Sequence, residues 1–298
     1  MANAPQAGDD APATRGRSLR RARKRFGQHF LTDRRALMRI ADALAIDRSA
    51  TVLEIGPGRG ALTDLLAERA ARVIAIEIDR DLAALLRARY DDNHTVQIVE
   101  GDAVRMDWGA LAGPDFLLVG NLPYNLTTPL LFKALSRPLP RRSVFLVQSE
   151  VADRIVADEG SKEYGALSVN VRIATEAEVI ARVRSTAFAP RPTVDSAIIR
   201  LTPRTTPLVS DEHVPDFRAF VQAIFSLRRK QVQRALRSLG VASAAAATAL
   251  LAAIGVLPAD RAETLSPERF VLLFHAWQRL VKARPTDPVV KTRRRLGT

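Results

Sequence analysis

The stretch Thr51-Val-Leu-Glu-Ile-Gly-Pro-Gly-Arg-Gly60 decides the fold of this 298-residue chain. Its first five residues form a short, mostly apolar run of the kind found in buried strands. Three glycines follow within five positions, and residues 61–69 have the pattern of a helix. Glycine lets the backbone approach a ligand closely, and the first turn of a helix offers unpaired N–H groups. The stretch therefore predicts a strand, a ligand-binding loop and a helix.

Similar strand and helix signals alternate along much of the chain. Such alternation predicts a mostly parallel sheet with helices on both faces, which is a Rossmann-like α/β fold. Beyond about residue 205 the strand signals stop, and an apolar stripe that begins at Phe217 predicts helices. We expect four regions: a basic flexible N-terminal arm at residues 1–24, a Rossmann-like domain at 25–205, a small all-helical C-terminal domain at 209–283 and a basic tail at 284–298.

Composition narrows the possible partners and chemistry. The formal net charge of +13 and the pI near 11.0 favour a polyanionic partner: RNA, DNA or an anionic membrane surface. Cysteine is absent and the four histidines show no HxxxH spacing, so we expect no disulfide, no thiolate nucleophile and no bound metal.

No membrane-spanning segment is expected. Residues 241–257 form the most apolar run, but they are too short and too weakly hydrophobic for a span, so they predict a buried helix pair. The N-terminus has no pattern of a secretory signal. We therefore expect a cytoplasmic protein that makes no membrane contact.

Two acidic residues follow the next two predicted strands. Glu77 ends the second strand, 21 positions after Gly56, where a carboxylate can accept both hydroxyls of a ribose. Asp102 follows the third strand, where it can accept from an adenine amine, and this favours S-adenosylmethionine as the cofactor. The loop alone leaves a nicotinamide cofactor open, because Gly56, Gly58 and Ala61 also fit the loosest dinucleotide-binding pattern.

Asn121-Leu122-Pro123-Tyr124 follows the fourth predicted strand, at the edge of the sheet where the cofactor is expected. A methyl sulfonium is already reactive, so an enzyme that uses it must mainly align the accepting amine and exclude water. The Asn121 Oδ1 and the Leu122 carbonyl can accept from the hydrogens of an adenine N6. Pro123 fixes the turn, and Tyr124 offers a ring on which a base can stack. This motif predicts methyl transfer to the exocyclic amine of adenine.

On these residues the chain resembles the KsgA (RsmA) family, the small-subunit ribosomal RNA adenine N6,N6-dimethyltransferases. The resemblance covers about residues 23–280. The matching stretches are Lys24-Arg-Phe-Gly-Gln-His-Phe-Leu31, Glu54-Ile-Gly-Pro-Gly-Arg-Gly60, Asn121-Leu-Pro-Tyr-Asn125, Gln148-Ser-Glu-Val-Ala-Asp-Arg154, Gly160-Ser-Lys-Glu-Tyr-Gly165, Phe188-Ala-Pro-Arg-Pro-Thr-Val-Asp-Ser196 and Phe225-Ser-Leu-Arg-Arg-Lys230.

The resemblance implies roles for individual residues. Together with the glycine loop, it implies that S-adenosylmethionine is bound by His29, Leu31, Gly56, Gly58, Glu77, Asp102 and Asn121. The target adenine would be held by Asn121, Leu122, Pro123 and Tyr124, and its other face would be covered by Phe188. Without the resemblance, Phe188 is interpreted as a core residue. His29 departs from the asparagine that the family more often carries at that place.

Basic residues of the helical domain and of the tails would contact RNA phosphates. The candidates in the helical domain are Arg228, Arg229, Lys230 and Arg234, for which a solvated helix face is the alternative interpretation.

The implied reaction is N6,N6-dimethylation of two adjacent adenosines in the hairpin loop near the 3′ end of 16S rRNA. It belongs to small-subunit biogenesis, so we expect 16S rRNA within the immature small subunit as the partner, and a monomeric enzyme. Bases in a loop can be splayed out at low cost, which suits this chemistry.

Three other functions remain open from the residues. A relative that methylates large-subunit RNA and confers macrolide resistance shares the scaffold but more often has Phe in place of Tyr124. A non-catalytic RNA-binding factor in assembly or transcription would keep the fold, but it would not need the intact Asn121-Leu-Pro-Tyr124 motif for catalysis. A nicotinamide dehydrogenase would use the same glycine loop, but it would not need a charge of +13.

Overall fold

The computed structural model describes residues 29–282. The predicted arm at residues 1–24 and the predicted tail at residues 284–298 lie outside this range. The strands of the described part are β1 (Phe30–Leu31), β2 (Thr51–Ile55), β3 (Arg72–Glu77), β4 (Val96–Glu100), β5 (Leu117–Asn121), β6 (Arg142–Gln148), β7 (Thr175–Val183), β8 (Phe188–Ala189) and β9 (Ser196–Pro203).

Helices lie between most of these strands and make up the C-terminal part. They are α1 (Arg34–Leu44), α2 (Ala61–Ala67), α3 (Arg80–Arg89), α4 (Trp108–Ala112), α5 (Thr127–Ala134), α6 (Ser149–Val156), α7 (Ala166–Arg172), α8 (Val214–Ser226), α9 (Val232–Ser238), α10 (Ala244–Ala252) and α11 (Pro267–Lys282).

Seven strands form one sheet in the order β4-β3-β2-β5-β6-β9-β7. Strands β2 to β6 run parallel, and β9 runs antiparallel to both of its neighbours. The strand order reverses between β2 and β5, because the chain moves outward to β3 and β4 and then returns to the other side of β2. Ligands of open α/β sheets bind at such a reversal, beyond the carboxyl ends of the strands. Here those ends are Ile55 and Asn121.

The central strands β2, β3, β5 and β6 are buried on both faces, which explains their nearly continuous apolar sequences. Leu53 and Ile74 pack with one layer of helices, whereas Val52 and Val73 pack with the other layer. Alternate residues of a strand point to opposite faces, so neighbours in the sequence enter different cores. The predicted Rossmann-like architecture with a helical C-terminal part is confirmed.

Helices α8 to α11 enclose a third core, and α7 contributes to it as well. Leu167 and Val171 of α7 pack against the sheet, whereas Val169 and Ile173 pack against the C-terminal helices. Just before α7, the buried Tyr164 donates its hydroxyl to the Leu265 carbonyl at 2.7 Å. The sheet and the C-terminal helices are therefore joined through a shared helix, a packing relation that the sequence pattern does not indicate.

The apolar run at residues 241–257 contains one helix, α10, instead of the predicted pair. The helix ends at Ala252, and Gly255 then adopts a φ of +66° within a turn. Glycine tolerates this left-handed conformation and so allows the chain to turn away. Within residues 29–282, no helix is both long enough and apolar enough to cross a membrane.

Candidate active site

The glycine loop after β2 forms one wall of a cleft at the strand-order reversal. Gly56, Gly58 and Gly60 have φ angles of +69°, +58° and +84°, which L side chains rarely adopt. A Cβ atom on Gly58 would lie 2.9 Å from the Phe30 ring, so this position has no room for a side chain either. The loop thus needs glycine for its backbone conformation and, at Gly58, for its close packing.

Glu77 lies at the end of β3 and braces the loop. Its Oε2 accepts from the Gly58 N–H at 3.1 Å, and its Oε1 accepts from the Asp79 N–H at 2.9 Å. The side chain is buried, and this desolvation raises the pKa of the Glu77 carboxyl. Each carboxylate oxygen has a second lone pair, so both can still accept from a ligand hydroxyl.

Glu54 lies one position before the end of β2 and is buried behind the loop. It accepts from the Thr63 hydroxyl at 2.7 Å. Burial raises the pKa of Glu54 to about 8, against an ordinary value of 4.5. A neutral carboxylic acid is therefore favoured at this position near neutral pH.

Asn121 ends β5 and has its side-chain amide fixed in one orientation. Its Nδ2 donates to the His29 carbonyl at 2.9 Å, and no described residue donates to its Oδ1. The next residue, Leu122, is almost fully buried, and its N–H donates to the Leu146 carbonyl of β6 at 3.1 Å. These two bonds fix the orientation of the Asn121 amide and the position of the backbone that follows it.

Tyr124 stacks on His29, with the ring centroids 5.9 Å apart and 25° between the planes. The Tyr124 hydroxyl lies 3.3 Å from the Ser196 Oγ at the start of β9. The His29 Nδ1 lies 2.9 Å from the Pro190 carbonyl, and since a carbonyl can only accept, this contact assigns the proton to Nδ1. His29 thus ties the Asn121–Tyr124 loop to the segment that contains Pro190.

The cleft encloses about 950 Å³, part of it open to solvent. Besides polar groups it has apolar walls, which include Ile76, Ile78 and Val104. Ile78 is 44% exposed and contributes apolar surface to the cleft. Asp102 lies nearby; its Oδ1 accepts from the Val104 N–H at 2.9 Å, and its Oδ2 is 3.5 Å from the Arg105 Nε.

The structure brings most of the predicted site residues to this one cleft. The lining includes His29, Gly56, Gly58, Glu77, Asp102, Asn121, Leu122, Pro123 and Tyr124. They come from five separate stretches of the chain, and the strand order places them together.

Phe188 does not line the cleft, and Leu31 lines an adjoining pocket that shares Gly56, Gly58 and Asn121 with it. Leu31 and Phe188 are register partners in the β1–β8 pair, both are buried, and both belong to one hydrophobic core. In this conformation the Phe188 ring packs among apolar side chains and is 5% exposed.

The predicted RNA-contacting residues also lie outside the cleft. Arg228, Arg229 and Lys230 fall in the turn between α8 and α9, and Arg234 lies on the exposed face of α9. Arg228 is engaged within the protein, because its Nε pairs with the Glu263 Oε2 at 2.8 Å and its Nη2 donates to the Lys162 carbonyl at 2.7 Å.

Three residues of the site escaped the sequence analysis. Ile78 directly follows Glu77, and its position just beyond the end of a strand could have indicated that it lies at the cofactor site. Ser196 closes the quoted Phe188–Ser196 stretch, and Glu54 opens the glycine stretch, but no local pattern shows that Ser196 meets Tyr124 or that Glu54 meets Thr63. In the described part of the chain, no group of three or more His, Asp or Glu residues could hold a metal ion.

Fold and cleft together define a class of protein: a Rossmann-like methyltransferase with a C-terminal helical part. A family model described as "Ribosomal RNA adenine dimethylase" matches residues 19–279. The chain belongs to this family, and it is an enzyme that dimethylates adenine in ribosomal RNA.

Similar proteins span nearly the same length. The chain is 40% identical over 272 residues to the Ribosomal RNA small subunit methyltransferase A of Geobacter metallireducens, covering 89% of this chain and 98% of that protein. A protein of the same description from Synechococcus sp. is 45% identical, with 82% and 88% covered. The solved dimethyladenosine transferase of Plasmodium falciparum superposes with a TM-score of 0.75 at 26% identity, with 85% and 98% covered. The 23S rRNA methyltransferase ErmE gives 0.67 at 29% identity, with 84% and 99% covered.

Proposed function

We propose that this enzyme uses S-adenosylmethionine to dimethylate N6 of two adjacent adenosines in the hairpin loop near the 3′ end of 16S rRNA. Three curated relatives that are 40%, 42% and 45% identical are described as small-subunit methyltransferases, which supports the choice of subunit. We further propose that the immature small subunit is the substrate particle and that the enzyme acts as a monomer.

One observation supports the proposed chemistry: Asn121 lines the cleft with its amide anchored through Nδ2, and no described residue donates to its Oδ1. An adenine N6 lone pair is delocalised into the ring and is a poor nucleophile. Acceptors on the N6 hydrogens favour a pyramidal nitrogen with a localised lone pair. The Asn121 Oδ1 and the Leu122 carbonyl would be these acceptors, and neither accepts a hydrogen bond from the described residues.

The residues of the cleft fit S-adenosylmethionine. The proposed ligands of its ribose and adenine are Glu77 and Asp102, with Ile78 and Val104 as apolar contacts of the adenine. Gly56 and Gly58 would let the backbone approach the amino-acid part. Bound there, the cofactor supplies a methyl group on a sulfonium, so the protein needs to align the amine and exclude water.

Tyr124 would hold the target base by stacking, and His29 already occupies part of this stacking surface. The buried Phe188 would have to leave its core position to cover the other face of the base, as the family resemblance implies. Arg229, Lys230 and Arg234 are proposed to contact phosphates, since their side chains are exposed and have no partner among the described residues. Arg228 is better placed to hold the turn that carries them.

The test uses immature small subunits from a strain that lacks this modification, together with the enzyme and S-adenosylmethionine. Nucleosides are read by mass spectrometry and the modified site is mapped. Dimethyladenosine in the 3′-end hairpin is the expected result. Methylation of large-subunit RNA alone would show that the enzyme has the substrate type of ErmE instead. Absence of methylation would contradict the proposed activity.

A further inference from the structure

Two segments beside the cleft carry an excess of positive charge. One runs from His29 to Arg39 and includes Arg34, Arg35 and Arg39; the other is residues 184–195 and includes Arg184 and Arg191. We call these five arginines the arginine rim. The carboxylates in the same segments are Asp33 and Asp195, so an excess of three positive charges remains.

Backbone hydrogen bonds hold the two segments together. Thr32 and Asp33 both donate their N–H groups to the Ala187 carbonyl, at 2.8 and 3.3 Å, and the Ala187 N–H donates to the Arg184 carbonyl at 2.9 Å. The first arginines of α1 therefore lie close to Arg184. Arg191 directly follows Pro190, whose carbonyl contacts the His29 ring in the cleft. The two segments thus lie next to the cleft, one through His29, which lines it, and the other through Pro190, which contacts the His29 ring.

The rim arginines are nearly unused within the protein. Arg34, Arg35, Arg39 and Arg184 are exposed, and they make no hydrogen bond or ion pair in the part of the chain that the structure describes. Arg191 makes one neutral contact, from its Nε to the Ser185 Oγ at 2.9 Å. The carboxylates offer little compensation, since Asp33 Oδ1 caps the Ala36 N–H and Asp195 Oδ1 accepts from the Ser185 N–H.

Several other surface arginines are paired with carboxylates. Arg69, Arg89, Arg137 and Arg141, for example, each contact a carboxylate at 3.1 Å or less. Moreover, Arg34 and Arg35 lie in the first turn of α1, which contains no acidic residue. Cations are unfavourable there because the N-terminal end of a helix is itself positive. These two arginines therefore do not stabilise the helix that carries them.

We propose that the arginine rim binds the phosphate backbone of the RNA on the side of the target nucleotides, as a second contact surface besides the C-terminal helices. This inference rests on the proposed function, because it takes RNA as the substrate. Guanidinium groups match the geometry of phosphates. A base that enters the cleft beside Tyr124 would bring its flanking phosphates to the mouth of the cleft. The rim would hold the RNA segment next to the extruded base.

The test compares two double variants of the full-length enzyme. Arg34→Ala/Arg35→Ala removes two charges from the rim. The control, Arg48→Ala/Arg72→Ala, removes two exposed charges beside the amino ends of β2 and β3, neither of them paired with a carboxylate among the described residues. Affinity for naked 16S rRNA and for immature small subunits is measured without methyl donor, over a series of salt concentrations. We expect the rim variant to bind naked RNA about tenfold more weakly, with a salt slope reduced by about 1 to 2.

Melting temperature provides the control for folding. Alanine has the higher helix propensity, and removal of cations from the first turn relieves an unfavourable interaction, so the rim variant should melt at the same temperature or higher. Equal RNA affinity of the two double variants would overturn the proposal. Weaker binding to subunits with unchanged binding to naked RNA would also overturn it, because the rim would then contact protein. Failure of the proposed function is seen separately, as the absence of methyl transfer by the unaltered enzyme.

Discussion

Asn121 has a fixed side-chain amide, and no described residue donates to its Oδ1. The bond from its Nδ2 to the His29 carbonyl fixes the orientation of the amide, and its Oδ1 is the proposed acceptor for the target amine. We predict that Asn121→Ala lowers kcat by about 100-fold or more, because a preorganised acceptor at the reacting amine is lost. Dimethyladenosine formed in single-turnover assays provides the measurement, and an unchanged melting temperature excludes a folding defect. Near-normal activity would contradict the proposed mechanism.

Glu54 makes the stability of the protein depend on pH. Its pKa is about 8 in the folded protein and near 4.5 in an exposed chain. Between these pH values the unfolded chain loses the proton while the folded protein keeps it, so stability falls as pH rises.

Glu54→Gln keeps an acceptor for Thr63 but cannot ionise. We expect this variant to match the unaltered protein at pH 5 and to be more stable at pH 8, by an amount on the order of a few kcal/mol. Urea denaturation at both pH values measures the difference. Stability curves that stay parallel between pH 5 and pH 8 would show that Glu54 is already ionised in the folded protein.

At the scale of elements, the conformation of the glycine loop depends on close packing between Gly58 and the Phe30 ring. Gly58 has positive φ and lies against the Phe30 ring, whereas Gly113 has positive φ but no atom within 4 Å of the place that a Cβ would take. Gly113→Ala therefore introduces only backbone strain, of about 1–3 kcal/mol, because its φ of 82° and ψ of −174° lie in a region that is essentially confined to glycine. Gly58→Ala adds a steric conflict at the proposed cofactor site.

We predict that Gly58→Ala weakens binding of S-adenosylmethionine at least about tenfold, while Gly113→Ala leaves it unchanged. Calorimetric titration of the cofactor measures both, and denaturation gives the accompanying change in stability. Equal cofactor affinity in the two variants would mean that the loop does not approach the ligand. A loss of stability in Gly58→Ala that exceeds the loss in Gly113→Ala would report the contact with Phe30.

Some strands could be predicted from the sequence, whereas the pairing of others could not. Strands β2 to β6 were predictable because they are short apolar runs bounded by turns, and their carboxyl ends carry Gly56, Glu77, Asp102 and Asn121. The two-residue strands β1 and β8 have no periodicity to detect, and their pairing joins residues more than 150 positions apart. For this reason Leu31 and Phe188 could be named only through a family resemblance.

At the scale of the molecule, the charge of +13 should govern affinity for RNA. Binding to a polyanion releases counterions, so the logarithm of the affinity falls linearly with the logarithm of the salt concentration. We predict a steep slope for the full chain and a shallower one after deletion of residues 1–21, which carry four arginines. Affinity for 16S rRNA from about 50 to 200 mM salt measures both. A flat response would exclude an electrostatic origin, and equal slopes would exclude a contribution from the arm.

The sequence by itself determined the sheet, the glycine loop and the residue types of the site, because strand periodicity and turn chemistry are local properties of the chain. It also indicated a polyanionic partner, since net charge needs no structure. Only the tertiary structure decided that the Asn121 amide is held by His29, that Tyr124 meets Ser196 and that the arginine rim lies beside the cleft. These contacts join residues 72 to 155 positions apart, and their formation depends on strand order and packing, which no local pattern encodes.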